Sequence, residues 1–536
     1  MDPDGDEPML RQTFLPTSSS HWRPVQAELQ AVGSGERCVR SVREYANLLA
    51  SWSSTLYPSD AGELIDTRRL EGGLCHFFET NRLKGGISED EFFTDLFPFV
   101  AEIAAAIDAQ LVESAQACRD HTMAIARRAG PAFEAELLGE ENLESNHFEI
   151  RQLPSGHCGT VWLTQAAAAA VLACSFLGLC PPVPRGSYYP MEGTGVNFTA
   201  IMYDLHYRSQ RGKFECLLNY FGRISAKLPD GCLTFTRKVL GQEHSAAPLT
   251  AAELRRSVTP LAALCAMERH RGSWSAEGPF TRIEDDTAVT LRADFANMYL
   301  GGGVLHSGCV QEEILFVVFP ELLVGMLLCQ RMGDREALEI AGVERFNRYT
   351  GYGYQFAYGG DYADATPLDA FRRRRCAVLA FDALAQPGAA QFELGYMLRE
   401  VNKAYVAFGE PSAGAHRSTP LDPEGPERAT VATGHWGCGA FGGDVALKAM
   451  LQWVAAAEAG VGLRYHCFGD ERAALLPKVA LQVSLKVRTV GALWTLLERF
   501  IGTRRWGENS KGWVESELFQ WLLEELDKST PELGQE

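Results

Sequence analysis

The chain lacks a CxxC pair, an excess of basic residues and an uninterrupted apolar run of membrane-span length. Each absence removes a class of function. Its fourteen cysteines are scattered, many inside apolar runs such as Leu172 to Cys180 and Cys376 to Phe381. They read as reduced, buried thiols of an intracellular protein, and no Cys and His cluster has the spacing of a structural zinc site, so no metal is expected. Fifty Lys and Arg stand against 68 Asp and Glu, a formal net charge of −18. That balance argues against a protein that coats nucleic acid by neutralising phosphates. A polyanionic ligand would have to be gripped locally, by oriented backbone N–H groups and stacking. The N-terminus, MDPDGDEPML, has neither the charged nor the apolar region of a secretory signal. Leu163 to Cys180, with five consecutive alanines, comes nearest to a membrane span. Thr164, Gln165 and Ser175 interrupt it and alanine adds little transfer energy, so it reads as a buried helix. No internal repeat is present.

What is there is a globular composition, 46% hydrophobic over 536 residues, long enough for two or three units at about 150 residues each. Residues 1–35, polar and rich in Pro, Ser and Gly, read as a mobile tail. Residues 36–195 read as a helical accessory domain, with apolar residues three and four apart over 99–111, 113–129 and 163–180. Pro181 to Gly195, with four prolines and three glycines, is the expected junction. Residues 196–527 alternate in texture. Strands are expected over 232–240, 287–294, 377–381 and 463–468, and a helix over 445–458, giving a mixed α/β sheet layered with helices. Residues 411–430 read as a disordered loop and 528–536 as a C-terminal tail.

The most informative stretch is Gly301 to Glu313, GGGVLHSGCVQEE. Three glycines admit backbone conformations closed to other residues and let a ligand approach bare N–H groups. Gln311, Glu312 and Glu313 then lead into an apolar run, which puts the acids on the first turn of a helix. Asp294 and Asn297 end a predicted strand just before the glycines. Acids on a first turn also suit the helix dipole, and on this segment alone that reading weighs equally.

Asp294 to Asn297, the triple glycine and Gln311 to Glu313 resemble the signature of the poly(ADP-ribose) glycohydrolases. Further blocks of that family stand at Tyr349 to Tyr352 (YTGY), Val431 to Asp444 (VATGHWGCGAFGGD) and Tyr465 to Asp470 (YHCFGD). Four ordered blocks make chance similarity untenable, and their combination is most similar to the plant-type members. The resemblance implies a macrodomain-like catalytic core preceded by an all-helical accessory domain. It further implies hydrolysis of ribose–ribose bonds in poly(ADP-ribose), without cofactor or metal. The partners it implies are poly(ADP-ribose) and poly(ADP-ribosyl)ated proteins, with no direct nucleic acid and no membrane, for a monomer of nucleus and cytoplasm.

The resemblance assigns Glu313 the role of acid and then base, and gives Glu312 the hydroxyls of the ribose being cleaved. Adjacent helical residues point about 100° apart, so the two cannot flank one bond as a matched pair. One acts and one orients. By the same resemblance Asp294 braces the site, Asn297 contacts the ribose, Phe295 and Gln311 belong to the pocket, and Gly302 and Gly303 offer N–H groups to substrate. Ile283 and Glu284 would line the adenine pocket and Tyr352 and Phe468 would pack on the base. Taken alone, these aromatics read as core and Glu284 as a surface acid. Trp436, Gly437, Cys438, Gly439, Ala440 and Phe441 would form a diphosphate loop, Phe441 packing on pyrophosphate and ribose. His435 stands where the family usually has Asn, and a neutral imidazole there would donate one hydrogen bond.

Gly437 to Gly442 also fits GxGxxG, the dinucleotide fingerprint, but that motif needs an apolar strand directly before it, and residues 426–433 offer little beyond Val431 and Ala432. The run Arg372 to Arg375 invites a nuclear-localisation reading, yet it abuts a buried strand and reads as structural. The rival functions are a macrodomain that holds ADP-ribose without cutting it and a nicotinamide-dependent oxidoreductase built on the Gly437 loop. The crowded Glu312 and Glu313 speak against the first and the missing strand against the second.

Overall fold

Apolar residues three and four apart fold the first part of the chain into helices whose buried faces meet. These are Trp22–Gly33, Val42–Leu56, Thr67–Arg82, Phe97–Ala105 and Ile107–Ala129. The computed structural model describes residues 15–58, 65–82, 86–129, 150–182, 196–242, 245–267, 282–287, 289–409, 430–503 and 516–528. Residues 1–14, the expected junction at 183–195, nearly all of the expected loop at 411–430 and the last eight residues lie outside them. The expected tail is corrected from residue 15 onward. Trp22, Val25, Leu29 and Val32 make one buried stripe, and the Trp22 indole donates to Asp108 at 2.9 Å, so a polar composition hid an amphipathic helix.

One strand interrupts the helical part. β1 (Gly159–Thr164) is a β-branched and aromatic run that pairs antiparallel with β2 (Cys232–Val239), Trp162 opposite Thr234. The Ala-rich helix therefore begins at Gln165, not 163. Thr164 caps it by accepting from the Ala167 N–H at 3.2 Å, and every residue of Gln165–Phe176 except Ala166 is buried. Among the described residues no helix is long and apolar enough to cross a membrane.

The remaining strands are β3 (Leu264–Met267), β4 (Leu291–Asp294), β5 (Glu336–Gly342), β6 (Asn347–Thr350), β7 (Ala357–Asp361), β8 (Arg374–Ala380), β9 (Thr430–Thr433) and β10 (Gly462–His466). Eight of the ten form one mixed sheet in the order β1-β2-β5-β8-β4-β9-β10-β3. The pairs from β1 to β8 are antiparallel. Those from β8 to β3 are parallel. β6 and β7 form a separate hairpin. The expected disordered loop thus ends one residue early, because Thr430 opens β9. Lys528, expected in the tail, closes the helix Leu518–Lys528.

The core does not divide at the expected junction. Phe77, Phe97, Phe176, Phe214 and Phe316 all belong to one cluster. A second cluster, including Trp436, Trp453 and Trp494, lies against the parallel half. The four arginines after Phe371 are held by the fold: Arg373 is buried and paired with Asp369 at 2.8 Å, and Arg374 pairs with Glu344 at 2.7 Å.

Candidate active site

In open α/β sheets ligands bind beyond the carboxyl ends of parallel strands. Here β8, β4, β9 and β10 end side by side, and the loops that follow them enclose a cavity of about 700 Å³. Ala383 enters from beyond β8, Phe295 and Asn297 from beyond β4, His435 to Phe441 from beyond β9 and Phe468 from beyond β10.

Glu312 and Glu313 open the helix Gln311–Val318, whose remaining residues Ile314 to Val318 are buried. Burial of each large apolar side chain contributes about 1.5–3 kcal/mol, which anchors a first turn crowded with acids. Gln311 fixes the start of that turn to β4: its carbonyl oxygen accepts from the Phe295 N–H at 2.8 Å and its amide donates to the Ala293 carbonyl at 3.1 Å. Glu312 accepts from the N–H groups of Asn297 at 2.9 Å and Gly301 at 2.7 Å. Glu313 accepts from those of Gly303 at 3.0 Å and Val310 at 2.8 Å. Both glutamates line the cavity with their carboxylates already oriented.

Gly302 and Gly303 therefore do not offer their amides to a substrate, contrary to expectation. The Gly302 N–H donates to the Tyr299 carbonyl at 3.1 Å and the Gly303 N–H holds Glu313. Their lack of a side chain has a different use. A Cβ on Gly302, whose φ is +49°, would lie 2.6 Å from a Glu312 carboxylate oxygen and 2.8 Å from one of Glu313. The glycines admit the carboxylates.

Asp294 is fully buried behind the cavity wall, and neither carboxyl oxygen has a hydrogen-bond partner among the described residues. Burial first, and the neighbouring Glu313 second, hold its pKa well above the usual carboxylate range. Glu312 is raised by burial, Asp294 and Glu313, against the lowering effect of its two amide donors. Burial and mutual repulsion thus both favour the protonated forms of Asp294 and Glu312. The counterweight to these acids is Lys213, fully buried on the helix Arg208–Ala226. Its ammonium donates to the carbonyls of Val304 at 2.9 Å, His306 at 2.6 Å and Gly308, gathering the acid loop from behind. Burial pushes it down to about 8, opposed by Cys309 and Glu313.

The second glycine loop is built otherwise. β9, short and flanked by β4 and β10, does precede it, so the expectation of a missing strand is corrected. Four residues suffice because parallel neighbours bury them on both sides. Gly437 (φ +72°) and Gly442 (φ +73°) turn the chain, and the Gly443 N–H closes on the Gly437 carbonyl at 2.8 Å. The Trp436 indole pins the loop to the Phe381 carbonyl at 2.8 Å. Among the described residues the amides of Gly437, Gly439, Ala440 and Phe441 donate to nothing. Open backbone amides of this kind are what an anion would require, while the N-terminus of the following helix Val445–Glu458 is already capped by the Asp444 carboxylate.

His435 lines the cavity, but its ring nitrogens are engaged within the protein, by the Tyr465 hydroxyl at 3.0 Å and the Cys467 carbonyl at 3.1 Å. The expected hydrogen bond from imidazole to ligand is therefore replaced by one to Cys467. Burial lowers its pKa, partly offset by the Cys467 carbonyl and Asp470. Phe468 holds a left-handed φ of +50°, costly for an aromatic residue and typical of a constrained site. It packs against the cluster of Ile283, Val289 and Ala432. Glu284 accepts the Tyr349 hydroxyl on one oxygen. Tyr352 stands at the cavity mouth, 58% exposed.

Among the lining residues to which the sequence alone gave no role, Arg282, Tyr349, Asp470 and Arg472 are polar or aromatic. Tyr349 and Asp470 sit inside quoted blocks. The Arg282 guanidinium lies 4.0 Å over the Tyr349 ring, and Arg472 pairs with Asp470 at 2.7 Å. The first contact links segments far apart in sequence, and the second joins residues only two apart, so neither belongs to a periodic pattern.

Comparison with known proteins identifies the arrangement. The macro-domain-fold model of poly(ADP-ribose) glycohydrolase matches residues 277–475 and the helical-domain model of the same family matches residues 86–237. A probable poly(ADP-ribose) glycohydrolase 2 of Arabidopsis thaliana is 33% identical over 541 residues, covering 91% of this chain and 98% of the relative. Poly(ADP-ribose) glycohydrolase 1 of the same plant is 35% identical over 465 residues, 74% of this chain and 81% of its own length. Poly(ADP-ribose) glycohydrolase 1 of Caenorhabditis elegans is 32% identical across 53% of this chain and 35% of its own. Matched by both family models and by a relative along almost its whole length, the chain belongs to the poly(ADP-ribose) glycohydrolase family.

Proposed function

We infer that this protein hydrolyses the ribose–ribose glycosidic bonds of poly(ADP-ribose) and releases ADP-ribose, with Glu313 as the acting carboxyl group. The observation that carries the reading is a carboxylate held by two backbone amides on the wall of a cavity that is also lined by four residues with open amides. The open amides of the Gly437 loop take the diphosphate. Tyr352 and Phe468 pack on adenine, and the Glu284 oxygen not engaged by Tyr349 accepts the exocyclic amine. Glu312 orients the ribose hydroxyls.

Glu313 gives its proton to the leaving ribose oxygen as the anomeric carbon becomes oxocarbenium-like, then takes a proton from the attacking water. Asp294 is a positioning residue, since it does not reach the cavity. The protein would act as a monomer on polymer and modified proteins in nucleus and cytoplasm, which sedimentation and fluorescence imaging test. Glu313→Gln keeps the shape and removes the proton. No ADP-ribose should be released from labelled polymer, with ADP-ribose affinity within about tenfold of the parent. Retained turnover would sink the assignment.

A further inference from the structure

Tyr354 is the most exposed aromatic residue among those described, at 81%. Single exposed apolar residues are ordinary, but this one differs in three respects. First, it stands two residues from Tyr352, which lines the cavity. Second, it rides on a rigid turn. Gly351, at φ +74°, allows the turn, the Gln355 N–H closes on the Tyr352 carbonyl at 3.1 Å, and the next residue, Phe356, is fully buried. The Gly353 N–H donates to the Cys309 carbonyl at 2.9 Å, which ties the turn to the acid loop itself. Third, a cation accompanies it. Arg282 donates to the Tyr349 carbonyl of the same hairpin at 3.0 Å and lines the cavity, in a chain of net charge −18.

We propose that Tyr354 is a stacking platform, outside the cavity, for the adenine of the neighbouring ADP-ribose unit of the polymer. The inference rests on the poly(ADP-ribose) reading above and adds a second base-binding position to it. A polymer seated in the cavity continues past its mouth, and its next unit again presents a purine and a diphosphate. An aromatic face held rigid at that point takes the base without specific hydrogen bonds, as stacking platforms do. Arg282, which lines the cavity and is tied to the same hairpin, would meet the intervening diphosphate.

The test uses Glu313→Gln protein, so that polymer survives the measurement, carrying in addition Tyr354→Ala or Tyr354→Phe. The Ala substitution should weaken long poly(ADP-ribose) about tenfold, the scale of one base–aromatic stack, and leave free ADP-ribose within twofold. The Phe substitution should keep both affinities. In otherwise native enzyme Tyr354→Ala should raise KM for long polymer with kcat unchanged. Polymer affinity unchanged by Tyr354→Ala would overturn the proposal, and so would parallel loss of ADP-ribose binding, which would make Tyr354 part of the cavity or of the fold. If native protein releases no ADP-ribose while polymer binding still depends on Tyr354, the hydrolase reading fails and the platform stands.

Discussion

The two glycine-rich loops both border the cavity's lining, the first through Val310 and the carboxylates it holds, the second directly, and they are built on opposite principles. In the loop that runs from Gly301 to Val310, amides and carbonyls alike are held by protein charges, the Glu312 and Glu313 carboxylates on one side and the Lys213 ammonium on the other. In the loop from Gly434 to Gly443 the chain is held by its own backbone and by Trp436, and four amides stay open. The first loop fixes two carboxylates and the second leaves amides open, which on the proposed function divides them between chemistry and diphosphate binding. Glycine serves both, for space around carboxylates in one and for left-handed turns in the other.

If the division holds, damage to the first loop appears in kcat and damage to the second in affinity. Lys213→Met keeps the length of the side chain and leaves three carbonyls without their donor. The expected result is a fall in kcat of about 100-fold with ADP-ribose affinity within a few-fold, and a loss of about 2–3 kcal/mol in stability. Steady-state kinetics beside calorimetric titration decide it, and equal losses in both would erase the contrast. Gly437→Ala places a Cβ at φ +72°, in collision with Ala383. Here ADP-ribose affinity should drop tenfold or more, about 1.4 kcal/mol, while kcat at saturating polymer changes less. A pure kcat defect would refute the anion role of this loop.

The third expectation concerns the protons of the acid cluster. An unfolded aspartate ionises near pH 3.9, whereas folded Asp294 keeps its proton well above that. Its contribution to stability is therefore complete at low pH and is lost as pH rises through the raised folded value. Asp294→Asn removes that slope. Between pH 5 and pH 8 thermal melts of the variant should gain on the parent as pH rises, and parallel profiles would show that Asp294 is ionised throughout. The smallest effect is expected at His435. Since burial lowers its pKa and both nitrogens are engaged, ADP-ribose affinity should be level from pH 5.5 to 8. His435→Asn should change it by about 1 kcal/mol at most. Strengthening of native binding on acidification would reveal a cationic contact after all.

Much of this site was legible because its residues come in short ordered blocks. The helix over 445–458 and the acids on a helix start follow directly from pattern. What pattern misses is polarity that the fold buries. Lys213 sits in a stretch reading RSQRGKFE, where a lysine signals a solvated face, yet it is fully buried. β2 and β5 are buried throughout although they carry Arg237, Lys238, Glu336 and Glu339. These charges pair across the two strands, Lys238 with Glu339 at 2.9 Å and Arg237 with Glu336. The uses of Gly302 and Gly303 escaped for another reason: whether an amide faces a ligand or a carboxylate depends on where the next helix lands.

Lys213 has one more consequence. The residue after it, Phe214, meets Phe77 edge-on at 4.9 Å and stacks on Phe176 at 5.9 Å, so the acid loop hangs from the aromatic centre of the N-terminal helices. Loops are usually the first parts of a protein to open, at little free-energy cost. This one is fastened, through Lys213 and its neighbour Phe214, to a buried aromatic core. The amide protons of Gly303 and Val310 can then exchange with solvent only when that core opens, while those of Gly439 to Phe441 exchange freely. Chemical competence is thereby made conditional on the intactness of a region remote from the ligand, and a chain with a loosened N-terminal half would still hold ADP-ribose as a binder without being a hydrolase.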